Sequence, residues 1–161
     1  AGFGLARYVY SGKSSNGANV TAKTCSSDVV PSVLSSAPTV VEIPETLKVI
    51  EHAGNVGNND PKLSIATVEV KKATGEPLQI PLYDQYVYIK SGTMKVFVGS
   101  DDATKRPVGR ENDAPFVLTA TSGQVLCLPK GHLYHKTFPG PCEIIPICLP
   151  AFSPDLAGNV A

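Results

Sequence analysis

The sequence predicts an all-β fold: one antiparallel barrel or sandwich of short strands, preceded by an extended N-terminal arm. Three observations predict it. From Val40 onward, short runs of β-branched and aromatic residues alternate with turn formers at intervals of about a dozen residues. No stretch sustains a 3.6-residue apolar period over about 12 residues, as an amphipathic helix would. The 161 residues can bury the core of one domain and are too few for two of ordinary size.

Taken in order, residues 11–38 are rich in Ser, Gly, Asn and Ala with little periodicity, so residues 1–38 read as an irregular arm able to clasp a neighbour. The barrel is expected over residues 39–155, with 156–161 as a C-terminal tail. Its strand runs are Thr39–Ile43, Leu63–Lys71, Tyr86–Lys90, Thr93–Val98, Phe116–Thr119, Gln124–Leu128, Leu133–Phe138 and Glu143–Leu149. Pro44–Ile50 reads as a short helical turn. Residues 54–60 (GNVGNND) form a polar loop, Ser91-Gly92 reads as a hairpin turn, and Pro139-Gly140-Pro141 stops the penultimate strand. Residues 99–115 are charged and carry Pro107, Gly109 and Pro115, which predicts a long surface excursion.

Charge excludes some functions. Lys plus Arg and Asp plus Glu both number 14, so no long-range field draws in nucleic acid or an anionic membrane. Apolar stretches such as Ile144–Leu149 are far shorter than the roughly 20 residues of a membrane-spanning helix, and no membrane insertion is expected. Cys25, Cys127, Cys142 and Cys148 lack CxxC spacing, which argues against structural zinc and defines no disulfide framework. They read as reduced and mostly buried thiols. Asn19-Val20-Thr21 matches a glycosylation sequon, a pattern short enough to arise by chance. The chain starts at alanine, as a processed or trimmed terminus would, and the compartment is left open with the cytoplasm favoured.

Gly123, Pro129, Gly131 and Tyr134 stand in the spacing G(X)5PXG(X)2Y. The strand would end at Pro129, Gly131 would allow a sharp turn, and the next strand would return with alternate residues inward. This stretch resembles the second motif of the cupins, in which a metal-binding histidine occupies the position of Tyr134. The first cupin motif, G(X)5HXH(X)3,4E(X)6G, can be anchored on Gly92. Counting back places Gln85 at the glutamate and either Gln79 and Pro81 or Leu78 and Ile80 at the two histidines. The resemblance implies a jelly-roll (double-stranded β-helix) cupin barrel of RmlC-like type. Within the cupins, Tyr83-Asp84-Gln85, Gly123 to Gly131 and Ile147 to Phe152 resemble the single-domain EutQ-like proteins of ethanolamine utilisation, over roughly residues 60–155. Ectoine synthase is similar in carrying tyrosine at the position of Tyr134.

In that register Gln85, Val87 and Ile89 point into the barrel, joined from the next strands by His132, Tyr134 and Lys136. Glu69 and Thr67 could add a carboxylate and a hydroxyl from a neighbouring strand. A small polar molecule suits such a mixed space. Tyr134 and His132 are the candidate acid and base of a lyase, isomerase or cyclase reaction, the phenol being acidified if a cation lies beside it. Gln79, Gln85, Glu69 and Lys136 are the candidate ligand-binding residues. Both tyrosine and histidine have ordinary structural uses as well, the ring packed in the core and the imidazole at the rim in water. No cofactor is expected from so poor a ligand inventory; a divalent metal, if held, would be held by Tyr134, His132, Gln85 and Asp84. Tyr86 and Tyr88 have the opposite parity and would form an outer aromatic patch, the mark of a homodimer interface. A ligand-binding module without turnover and a structural subunit that assembles through its arm are the rival readings.

Overall fold

Strand β5 (Asp84–Ser91) alternates in burial, and that alternation separates the inside of the barrel from its outside. Gln85, Val87 and Ile89 are buried, whereas Tyr86 and Tyr88 are exposed, as the two-residue period of a half-buried strand requires. The structure, a computed structural model, describes residue 33 and residues 39–43, 45–99 and 116–160. The expected arm apart from Val33, Cys25, the sequon and most of the 99–115 excursion lie outside the described residues.

In chain order, the remaining strands are β1 (Thr39–Ile43), β2 (Leu47–Ala53), β3 (Ser64–Val70), β4 (Thr74–Gly75), β6 (Thr93–Val98), β7 (Phe116–Thr121), β8 (Val125–Leu128), β9 (Tyr134–Phe138) and β10 (Cys142–Leu149). A 3-10 turn, Pro154–Leu156, follows. Two sheets face each other, one of six strands in the order β1-β2-β3-β10-β5-β8 and one of four in the order β4-β9-β6-β7. Every pairing is antiparallel. From β3 onward the chain passes repeatedly between the sheets, the plan of a jelly roll. The core between them includes Val87, Ile89, Met94, Val96, Leu128, Phe138 and Ile144, each at most 3 % exposed. Burying a side chain of this kind contributes about 1.5–3 kcal/mol, so this layer holds the sheets together.

Two sequence expectations need correction. Pro44–Ile50 is not a helical turn: Glu45 sits at φ 72 in the tip of a hairpin, and Leu47–Ala53 pairs with β1 and β3. The β-branched Val49 and Ile50 suit a strand between two neighbours better than a helix. Ser91-Gly92 is not a hairpin turn, because β5 and β6 lie in different sheets. Gly92, at φ 81, turns the corner between them, and a Cβ there would stand 2.5 Å from the carbonyl oxygen of Pro141. The C-terminal tail, described over residues 156–160, lies against the barrel. Leu82 N–H donates to Leu156 O, Ile80 N–H to Gly158 O and Val160 N–H to Leu78 O, binding the segment along residues 78–82.

The polar loop 54–60 is as expected, and its order comes from within. Glu51 Oε1 accepts from Val56 N–H and Gly57 N–H at 2.8 Å each, and Asn58 Oδ1 accepts from Gly54 N–H at 2.8 Å. Among the described residues no helix is long and apolar enough to cross a membrane.

Candidate functional site

The turn 129–133 delivers the chain from β8 in one sheet to β9 in the other. Gly131 sits at φ 82 and its N–H donates to Pro81 O, so the spacing around Pro129 and Gly131 makes the sharp return expected of it. β9 begins at Tyr134 rather than Leu133, which leaves His132 half-buried on the turn instead of on the strand. Beside this turn lies a cavity of about 240 Å³ lined by Val98, Leu118, Cys127, Leu128, Pro129, His132 and Tyr134. It is somewhat smaller than the usual 300–1,000 Å³ of a ligand pocket, and its wall is largely apolar. The His132 and Tyr134 rings stand 6.2 Å apart, inclined at 46°.

Tyr134 is 3 % exposed, and its hydroxyl donates to Pro129 O at 2.8 Å. Burial pushes the phenol up to about 12, with the nearby Cys127 and Asp84 adding to the rise. The expectation of an acidified phenol is therefore reversed: desolvation, not a neighbouring cation, governs this tyrosine.

Next to the lining residues Tyr134 and Leu128 lies a polar layer. Gln79 exchanges backbone hydrogen bonds with Tyr134, and its side chain is buried, which selects the Gln79/Pro81 register over Leu78/Ile80. Lys136, 3 % exposed, donates from Nζ to Glu76 Oε2 at 2.8 Å and to Gln79 Oε1 at 3.1 Å. Gln79 Nε2 in turn donates to Asn159 Oδ1 at 3.0 Å. Gln85 Nε2 donates to Cys148 Sγ at 3.7 Å. Burial pushes the Cys148 thiol up, opposed by a hydrogen bond with Ser64, by Lys136 and by Gln85. Cys142 is likewise buried and its thiol raised by burial, whereas Cys127 is exposed. Glu76 and Asn159 were missed by sequence reasoning, since neither belongs to a motif. The signal for Glu76 was indirect: a lysine read as pointing into a core demands an acidic partner.

Other candidates fall elsewhere. Glu69 and Thr67 do not face this layer. Val68 and Val70, of opposite parity on β3, pack into the core, and Thr67 instead bonds His52 Nε2 at 2.8 Å. Glu69 pairs in register with Glu143, whose carboxylate holds Lys90 at 2.7 Å. Asp84 also fails as a partner of Gln85, because adjacent strand residues point to opposite faces; its carboxylate accepts from Lys130 N–H at 3.0 Å. His135 lies on the outer face, 5.8 Å from the Phe97 ring, and burial lowers its pKa.

The contingent metal set of Tyr134, His132, Gln85 and Asp84 does not fit a divalent ion. Two of its members face opposite ways, the tyrosine hydroxyl is spent on Pro129, and the buried ammonium of Lys136 would repel a second cation in the same interior. Among the described residues no three His, Cys, Asp or Glu side chains converge.

No protein-family model and no curated protein matches the sequence. Solved structures do match in fold. One is an RmlC-like cupin from Shewanella frigidimarina, 17 % identical over 71 % of this chain and 85 % of that one, with a TM-score of 0.53. Another is the nucleoside dehydratase Pac13, from Streptomyces, 14 % identical over 82 % of this chain and 92 % of that one, with a TM-score of 0.56. The EutQ protein of Clostridium difficile is also among them, 21 % identical over 68 % and 66 % of the two chains, with a TM-score of 0.47. The protein thus has the cupin fold, as its Gly123–Tyr134 spacing implied, and at these identities the likeness is one of fold.

Proposed function

We propose that this protein is a small-molecule-binding cupin that takes its ligand into the cavity beside Tyr134 and His132, with Gln79, Gln85 and Lys136 forming the polar layer behind it. The observation that carries this reading is a cavity with a largely apolar wall whose Tyr134 stands two residues before the buried, fixed Lys136 on β9. The cavity volume suits a compact ligand. Binding is favoured over turnover because the Tyr134 hydroxyl is already engaged and its phenol raised, which makes it a poor proton donor near neutrality.

Acid–base catalysis by His132 and Tyr134 is the second reading, supported by the approach of the two rings at the cavity wall. The test for both is a melting-temperature screen of small polar molecules against wild type and Leu118→Trp, which fills the cavity. Ligand-induced shifts should vanish in Leu118→Trp; shifts that persist there would move the ligand elsewhere. A product peak in the NMR spectrum of any ligand mixture, lost in His132→Ala, would favour the enzyme.

A homodimer through the outer face of the six-stranded sheet belongs to the same proposal. Tyr86 and Tyr88 are 43 % and 38 % exposed there, flanked by Val125 and Leu149. Sedimentation of wild type against Tyr88→Lys tests it, and an unchanged mass would remove this face as the interface.

A further inference from the structure

Gln85 is 8 % exposed, and its amide is only half satisfied. Nε2 reaches Cys148 Sγ, while Oε1 is buried without a hydrogen-bond partner among the described residues. Turning the amide over does not cure this, since two N–H donors would then be stranded in place of one oxygen. A buried acceptor left this way has lost its water without gaining a partner, so the position calls for a donor. Lys136 offers the converse. Its ammonium carries three donors, and among the described residues two are used, on Glu76 and Gln79. Cys148 is bonded to Gln85 and lies within electrostatic reach of Lys136.

The layer also adjoins the cavity. Gln85 is in register with Leu128, and Gln79 is bridged to Tyr134, so both glutamines stand next to residues of the cavity wall. Charge then narrows the ligand. Lys136 is already neutralised by Glu76, and an anionic group would bring an uncompensated charge into the core.

Resting on the ligand-binding reading above, we propose that Gln85 and Lys136 form a subsite for a neutral carboxamide or lactam edge. The ligand carbonyl accepts the third N–H of Lys136, and its N–H donates to Gln85 Oε1. A carboxylic acid of the same shape satisfies the lysine but leaves Gln85 without a donor once ionised.

The test is a titration of the ¹⁵N-labelled full chain with acetamide and, separately, acetate, read at the side-chain amide signals of Gln79 and Gln85. Acetamide should give saturable shifts, and acetate should bind at least tenfold more weakly. Lys136→Met should abolish the acetamide response. Because that variant loses a buried ion pair, Gln85→Leu serves as the second: it should fold with an unchanged or raised Tm, having lost an orphan oxygen, and should lose the response at Gln79. No saturable shift in wild type, equal binding of acetate, or an undiminished response in Gln85→Leu would each overturn the subsite. A cavity ligand that Leu118→Trp displaces, together with silence toward acetamide, would overturn it while leaving the cavity reading intact.

Discussion

Tyr134 and Lys136 occupy successive inward positions of β9, each 3 % exposed, yet their polar ends are satisfied in opposite ways. The tyrosine hydroxyl bonds a carbonyl five residues earlier, across the turn that starts its own strand. The lysine reaches partners 57 and 60 residues away, on the segment that follows β4. Burial of one is a local matter of a motif closing on itself. Burial of the other depends on the whole sheet arrangement bringing Glu76 and Gln79 alongside β9. The contrast teaches that two side chains with the same exposure can carry very different stakes: a neutral phenol costs little to strand, an ammonium a great deal.

The comparison breaks most visibly at Glu76. Glu76→Leu leaves the Lys136 ammonium in the core with an amide as its only described partner, and urea unfolding should register a loss of about 3 kcal/mol. The low end of the range for a buried pair applies because the Glu76 side chain is 28 % exposed. Adding Lys136→Met to that variant should restore most of the loss, since two apolar groups replace an uncompensated charge; a double variant no more stable than the single one would mean the pair is not coupled.

At Tyr134 the expected effect is smaller. Tyr134→Phe removes one hydrogen bond to Pro129 O and should cost about 1 kcal/mol. Its pH signature is more telling. The folded pKa of about 12 lies above the ordinary 10, so the folded state holds the proton more tightly. That contribution is whole below pH 10 and is lost as pH rises toward 12. Stability measured over this window should therefore fall more steeply in wild type than in Tyr134→Phe, and parallel curves would contradict the burial of the phenol.

His132→Ala should change stability least, within about 0.5 kcal/mol, since the ring lies half-buried on a turn. Calorimetry with a cavity ligand should nonetheless show weaker binding. A large loss of stability with unchanged affinity would make His132 a structural residue and sharpen the division between the two regions in the other direction.

How much of this was legible depended on the range of the interaction. The inward set Gln85, Val87, Ile89, with Tyr86 and Tyr88 outward, follows from alternation once a single residue is placed. Glu69 was misread because its face depends on which neighbours β3 pairs with, and β2 and β10 turn Val68 and Val70 to the core instead. Ser91-Gly92 looks the same whether it closes a hairpin or turns a corner, because the local backbone demand for a glycine is alike in both. Leu47–Ala53 was hidden by the proline before it, until pairing on both sides made it a strand.

Sequence alone determined the all-β class and the turn at Pro129 and Gly131, which rest on backbone periodicity and on the sterics of a few adjacent residues, while the inward face of β5 came from that periodicity together with the register the cupin resemblance implied. Only the tertiary structure decided that Tyr134 has its phenol raised, that Lys136 is neutralised by Glu76, and that Gln85 Oε1 is buried without a partner among the described residues. Those are properties of desolvation and of partners far apart in the chain, and they exist only after the sheet order has brought the partners together.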